Sequence, residues 1–135
     1  MLPALIDTDI LSAIMRRQAM AAAQAQTYLA THKQFTISII TRYEILRGLK
    51  AKGAHAQVAA FDRFCATTHV LPLTDEIIVQ AAEIYADLYR RGELIGDADI
   101  LIAASARVNH LAIVTNNETH FGRISGLEIE NWLKS

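Results

Sequence analysis

A chain of 135 residues with 52% apolar side chains is long enough for one domain with a real core and leaves no room for a second. Its formal charge of −1 excludes a uniformly basic nucleic-acid-binding surface, so any phosphate-binding face must be local. Cys65 stands alone, which excludes an intrachain disulfide and a thiolate metal cluster and matches a reducing compartment.

The first element is a short apolar run, Ala4-Leu5-Ile6, that ends abruptly in Asp7-Thr8-Asp9. It is too short for a buried helix and predicts a strand that stops at Asp7. In an open α/β sheet the ligand crevice lies beyond the carboxyl ends of the strands, which makes Asp7 a candidate for chemistry. The local alternative is that Asp7, Thr8 or Asp9 caps a helix starting at Ile10. Ile10 to Met15 keeps helical spacing as far as Arg16-Arg17, and Met20 to Leu29 is an alanine-rich helix. Phe35 to Ile39 alternates with period two and is rich in β-branched residues, which predicts the second strand.

Thr41-x-x-Glu44 follows that strand and has the form of a capping box, with Thr41 as N-cap. Either the Glu44 carboxylate bonds back to the Thr41 amide, or it faces the same crevice as Asp7; spacing alone does not separate the two. Lys50-Ala51-Lys52-Gly53 is a break, and Ala54 to Phe64 resumes helical spacing around Cys65, whose expected role is packing. His69-Val70-Leu71 is a brief strand ended by Pro72, which suits a sheet edge. Thr74 or Asp75 caps a long amphipathic helix through Ile77, Ile84 and Leu88 that reaches Arg90-Arg91 and stops at Gly92.

Ile95 to Ala106 is an almost wholly apolar helix prefaced by Asp97 and Asp99. Asp97 is the better placed to cap it. Asp99 then falls in the first turn of a buried helix, where an ionised carboxylate is costly unless paired or metal-bound. Leu111 to Thr115 is the clearest buried strand, ending in the polar stretch Asn116-Asn117-Glu118-Thr119-His120. Leu127 to Glu130 alternates as a final edge strand, and Trp132 is expected to pack the tail back on the domain. The start of the chain carries no signal-peptide pattern and no segment reaches roughly eighteen uninterrupted apolar residues, so a soluble cytoplasmic protein with no membrane role is expected.

Strands alternating with helices imply an α/β fold of three layers, α/β/α, around a mainly parallel Rossmann-like sheet. Its strand ends would bring Asp7, Glu44 and Asp99 together with Asn116 or Asn117. Carboxylates gathered in this way repel unless a cation neutralises them, and hard oxygen ligands without thiolates suit Mg²⁺ or Mn²⁺. Such a site can polarise a phosphodiester and activate water for attack. No G-x-G-x-x-G follows the first strand and no G-x-x-x-x-G-K-[ST] occurs, which counts against a nucleotide-binding module.

Ile6-Asp7-Thr8, Tyr43-Glu44-Ile45 with Gly48, Ile95-Gly96 with Asp99-Ile100-Leu101-Ile102-Ala103-Ala104, Val114-Thr115-Asn116-Asn117 with Phe121, and the tail Gly126 to Trp132 together resemble a PIN domain of the VapC toxin type. The resemblance spans essentially the whole chain. It implies a Mg²⁺-dependent endoribonuclease, usually homodimeric, held inactive by a VapB-type antitoxin and acting on structured RNA such as a tRNA loop. It also places Asp7, Glu44 and Asp99 at the three metal-binding acidic positions. At a fourth position, where relatives often carry an acid just before the phenylalanine, this chain has His120, with Glu118 nearby. His120 is either an exposed loop histidine or a local proton carrier. Thr115 either orients a metal-bound water or simply ends its strand.

Arg16, Arg17, Arg42, Arg47, Lys50 and Lys52 are the basic groups nearest in sequence to the acidic edge, and Arg42 and Arg47 are candidates to hold RNA phosphates. Leu11, Ile14, Met15 and Met20 are candidates for an apolar groove that would take an antitoxin segment, with core packing the competing duty. A catalytically inert PIN-like module acting only through a partner or a nucleotide is the alternative function.

Overall fold

A computed structural model describes residues 1–134. The elements follow as β1 (Ala4–Ile6), α1 (Thr8–Met15), α2 (Ala19–His32), β2 (Thr36–Ser38), α3 (Ile39–Ala51), α4 (His55–Ala66), β3 (His69–Leu71), α5 (Asp75–Arg90), α6 (Asp97–Val108), β4 (Ala112–Val114), α7 (Glu118–Phe121) and β5 (Ile129–Glu130). The five strands form one sheet in the order β3-β2-β1-β4-β5, and every neighbouring pair is parallel. Leu5 pairs with Thr36 on one side of β1 and with Ile113 on the other, which puts β1 at the centre.

Side chains alternate across this sheet, as the strand pleat requires. Leu5 and Ile113 face a core built with Ile77, Leu88 and Ile102 of α5 and α6, whereas Ala4, Ile6 and Val114 face Ile10, Tyr28 and Phe61 of α1, α2 and α4. Helices therefore cover both faces, giving the three expected layers. Trp132 is buried in the second core beside Tyr28, with ring centroids 5.6 Å apart, so the tail is packed back as expected.

Three local expectations are corrected. Ser38, not Thr41, caps α3: its Oγ accepts from the Ile40 amide at 3.0 Å, and the helix starts at Ile39, inside the stretch predicted as strand. Thr41 is wholly buried within α3, and so Glu44 lies in the second helical turn and no Thr41–Glu44 capping box forms. Gly96, not Asp97, is the N-cap of α6, so that both acids lie in the first helical turn. Asp7 is itself the N-cap of α1, which begins two residues earlier than predicted. Gly92 terminates α5 with φ +67°, a left-handed conformation that glycine adopts without a Cβ penalty. Among the described residues no helix is long and apolar enough to cross a membrane.

Candidate active site

Asp7 lies where β1 ends and α1 begins. Its amide donates to the Val114 carbonyl at 2.9 Å, which continues the β1–β4 pairing by one residue and fixes the side chain over the carboxyl edge of the sheet. The side chain is only 5% exposed. Oδ1 accepts from the Thr8 amide at 2.8 Å and Oδ2 from the Thr115 hydroxyl at 2.7 Å. Asp7 thus caps its helix and also faces the crevice.

Asp9, two residues on, joins it. Asp9 Oδ2 accepts from the Asn116 amide at 3.0 Å, while Oδ1 is buried without a partner. Burial pushes the Asp7 carboxyl up to about 7, and the negative charges of Asp9 and Asp99 push in the same direction, against the hydrogen bonds from Thr115 and Thr8. Burial likewise raises Asp9, with Asp99 adding to the effect and the Asn116 amide opposing it. The negative charges of Asp9 and Asp99 thus both oppose ionisation of Asp7, and that of Asp99 opposes ionisation of Asp9.

Glu44 approaches from α3. Its Oε1 accepts from Thr8 Oγ1 at 2.6 Å, and that hydroxyl lies 3.0 Å from the hydroxyl of the wholly buried Thr41. Thr8 is the mechanical link between two of the predicted acids, donating its amide to Asp7 and its hydroxyl to Glu44. Asp99, from the first turn of α6, has Oδ2 3.3 Å from Asn117 Nδ2 and 3.1 Å from His120 Nδ1. Among the described residues no three His, Cys, Asp or Glu side chains stand ready-closed around a common point. Glu44 is turned to Thr8, and Asp99 to Asn117 and His120.

The donor set nevertheless suits a hard divalent cation. Its oxygens are carboxylates at a partly desolvated edge, and one buried oxygen, Asp9 Oδ1, has an unused lone pair.

The segment after β4 divides its side chains between two directions. The Thr115 hydroxyl, wholly buried, donates to Asp7 and accepts from the Asn117 amide at 2.9 Å. Asn117 and His120 turn toward Asp99. Glu118 turns away, to Asn131 at 3.0 Å and Lys134 at 2.6 Å, and the nearby ammonium of Lys134 lowers its pKa. The Asn116 side chain also meets Asn131, at 3.0 Å, so that only its backbone serves the acidic cluster, through Asp9.

Of the two candidate phosphate-binding arginines, Arg42 is committed to Asp62 at 2.9 Å and to the face of Phe61, 5.8 Å from the ring centroid. Arg47 is 59% exposed, lies 3.8 Å from Glu44 Oε2 and covers the exposed Tyr43 ring at 5.1 Å. A groove of about 620 Å³ runs from Thr8 and Glu44 between α1, α3 and α4, with Met15, Leu49, Phe61 and Phe64 among its walls. Of the four candidate groove residues, Met15 lines it, Leu11 is wholly in the core, Ile14 is partly buried against that core, and Met20 is exposed.

Two participants escape a reading based on caps and strand ends. Asp9 and Thr8 both look like ordinary helix-start residues in the sequence. The usable signal is that Asp7 and Asp9 sit within one turn of a strand end, where only one is needed as a cap.

The family model for the PIN domain matches residues 4–127. Ribonuclease VapC1 of Methanocaldococcus jannaschii is 37% identical over 95 residues, which cover 69% of this chain and 68% of that protein. The tRNA(fMet)-specific endonuclease VapC of Shigella flexneri is 29% identical over 133 residues, covering 98% of this chain and 99% of that one. Among solved structures, the DNA-bound VapBC of Salmonella typhimurium superposes with a TM-score of 0.84 at 28% identity, covering 98% of this chain and 99% of the matched chain. The chain belongs to the PIN domain family and, within it, to the VapC ribonucleases.

Proposed function

We propose that this chain is a Mg²⁺-dependent endoribonuclease toxin that hydrolyses phosphodiester bonds in structured RNA, tRNA being the substrate class, with Mn²⁺ able to replace Mg²⁺. The observation that carries the reading is the buried Asp7 carboxylate, whose ionisation the charges of Asp9 and Asp99 oppose, with Glu44 tied to it through Thr8. Asp7, Asp99 and Glu44 would hold the cation. When bound, such an ion polarises the phosphodiester and lowers the pKa of an attacking water.

The chain's own residues do the rest. Thr115 fixes the rotamer of Asp7 and Asn117 that of Asp99, and Thr8 keeps Glu44 within reach of the same edge. Arg47, exposed beside Glu44, is placed to bind a substrate phosphate, whereas Arg42 is held by Asp62. The Shigella relative's name as a tRNA(fMet)-specific endonuclease supports tRNA as the substrate class, and the complexes of the structural neighbours, named VapBC, support a VapB-type antitoxin as partner. The groove leading to Glu44 is an apolar surface on which an antitoxin segment can lie. A homodimer in the cytoplasm completes the reading.

The test is to sequence the RNA ends produced by purified wild type and Asp99→Asn, each with and without Mg²⁺. Discrete new ends from wild type in Mg²⁺ alone are expected. Undiminished cleavage by a folded Asp99→Asn overturns the mechanism, and saturable nucleotide binding without any cleavage favours an inert binding module.

A further inference from the structure

The four tyrosines of the chain are employed differently. Tyr28 is buried, and its hydroxyl bonds the amide and the carbonyl of Ala4 at 3.0 and 3.3 Å, which fastens α2 to β1. Tyr85 and Tyr89 stack on each other along α5, with ring centroids 6.2 Å apart. Tyr43 has neither duty: it belongs to neither apolar core and stands 58% exposed on α3. What it touches is a cation.

The Arg47 guanidinium lies over the Tyr43 ring, 5.1 Å from its centroid, and the same group reaches to within 3.8 Å of Glu44 Oε2. Residue 47 is four positions from Tyr43 and three from Glu44, the two spacings at which helical side chains meet. One guanidinium therefore joins an exposed aromatic ring to a candidate metal-binding acid. Its contact steadies the ring from one side by cation–π attraction and leaves the opposite side to solvent. An aromatic surface left in water is binding energy unspent within the fold. A ligand that uses both groups must offer an anion to the guanidinium and a flat π-surface to the ring. Unpaired RNA has both within one nucleotide.

We propose that the solvent-facing side of the Tyr43 ring is a stacking site for one unpaired base of the RNA, next to the phosphate that Arg47 holds. The inference rests on the RNA-cleaving reading of the site and adds how the strand is gripped beside Glu44. Stacking on a ring accepts any base, so Tyr43 sets the position of the strand and not its sequence. Tyr43 is thus a positioning residue for the scissile segment, carried on the same helix as Glu44.

The test is equilibrium binding of a single-stranded RNA oligonucleotide and of its abasic counterpart, the same backbone without bases, across a salt series. Tyr43→Leu, Tyr43→Phe and Tyr43→Trp are each made in an Asp99→Asn parent, in which cleavage is halted, with circular dichroism and sedimentation on every protein. Tyr43→Leu is expected to bind the base-bearing strand roughly 5–150-fold more weakly, the worth of one base on an aromatic ring. Its affinity for the abasic strand and its salt slope should stay those of the parent, because the phosphate contacts are untouched. Tyr43→Phe and Tyr43→Trp should keep the parent's preference for bases. An unchanged preference in folded Tyr43→Leu overturns the stacking site. An equal loss for both strands with a shallower salt slope also overturns it, reducing Tyr43 to a brace for Arg47, and a halved sedimenting mass does so by making the ring a subunit contact. These three outcomes leave the RNA-cleaving reading standing. A parent protein that binds neither strand overturns the stacking site too, and the cleavage assay on wild type then decides whether that reading falls with it.

Discussion

The Thr115 hydroxyl donates to Asp7 Oδ2 across 2.7 Å, joining residues 108 positions apart at the ends of two adjacent parallel strands. Thr115 Oγ1 also accepts from the Asn117 amide, so one buried hydroxyl sets both the first acid and the segment that faces Asp99.

Thr115→Val should therefore damage the site at little cost in volume. It leaves Asp7 Oδ2 and the Asn117 amide short of a partner, for an expected loss of about 1–3 kcal/mol in stability. Metal affinity or cleavage should fall roughly 10–100-fold. Thr115→Ser, which keeps the hydroxyl, should recover most of both. Denaturant unfolding and calorimetric metal titration on the two variants check this.

Glu44→Gln separates chemistry from architecture. The amide oxygen still accepts the Thr8 hydroxyl at the position now held by Oε1, so unfolding free energy should stay within about 0.5 kcal/mol of wild type. The lost negative charge should lower RNA cleavage at least 100-fold under single-turnover conditions, an order of magnitude set by removal of a metal-binding carboxylate. Glu44→Gln with wild-type cleavage rates would assign Glu44 to α3 packing alone.

The two arginines should behave differently. Arg47→Ala is expected to weaken RNA binding and reduce the slope of log affinity against log salt by about 0.7, the value for one phosphate contact on a single strand. Arg42→Ala breaks the pair with Asp62 and uncovers Phe61, so it should cost about 1 kcal/mol of stability and leave the salt slope unchanged. Filter binding across a salt series, alongside thermal melts, distinguishes them.

Stability should also depend on pH through Asp7. Its folded pKa, about 7, exceeds the ordinary value of 3.8, so the native state binds the proton more tightly than the unfolded chain. The contribution is then fully present below about pH 4 and is lost as pH rises through 7. In a chelator, wild type should lose melting temperature between about pH 4 and 7, the window set by that shift, relative to Asp7→Asn. A divalent cation at about a hundred times its dissociation constant should restore roughly 2.7 kcal/mol at the alkaline end. Parallel pH profiles for wild type and Asp7→Asn would remove the burial of Asp7 as the source.

The sequence is most informative where one local rule faces no rival. β3 falls on the predicted His69–Leu71, bounded by Pro72, and α5 ends at the predicted glycine. Caps are less legible, because several residues compete and the winner is chosen by distant partners. Thr41 has the right spacing for a capping box, yet its side chain is buried beside Thr8, and Ser38 takes the cap. Asp97 has the right chemistry, but Gly96 already supplies the extended backbone from which α6 starts. Asp9 was hidden for the same reason: the Asn116 amide that holds it arrives from the far end of the chain. The α7 turn at Glu118–Phe121 also lay unseen inside what reads as a polar loop.

With β1 lying between β2 and β4, the acidic centre comes into being late in synthesis. A nascent chain carries Asp7 and Asp9 out of the ribosome among its first residues, while Thr115 and Asn116, which hold them, emerge 108 and 107 residues later. Translation therefore yields no finished centre until 108 further residues have followed Asp7 out of the ribosome.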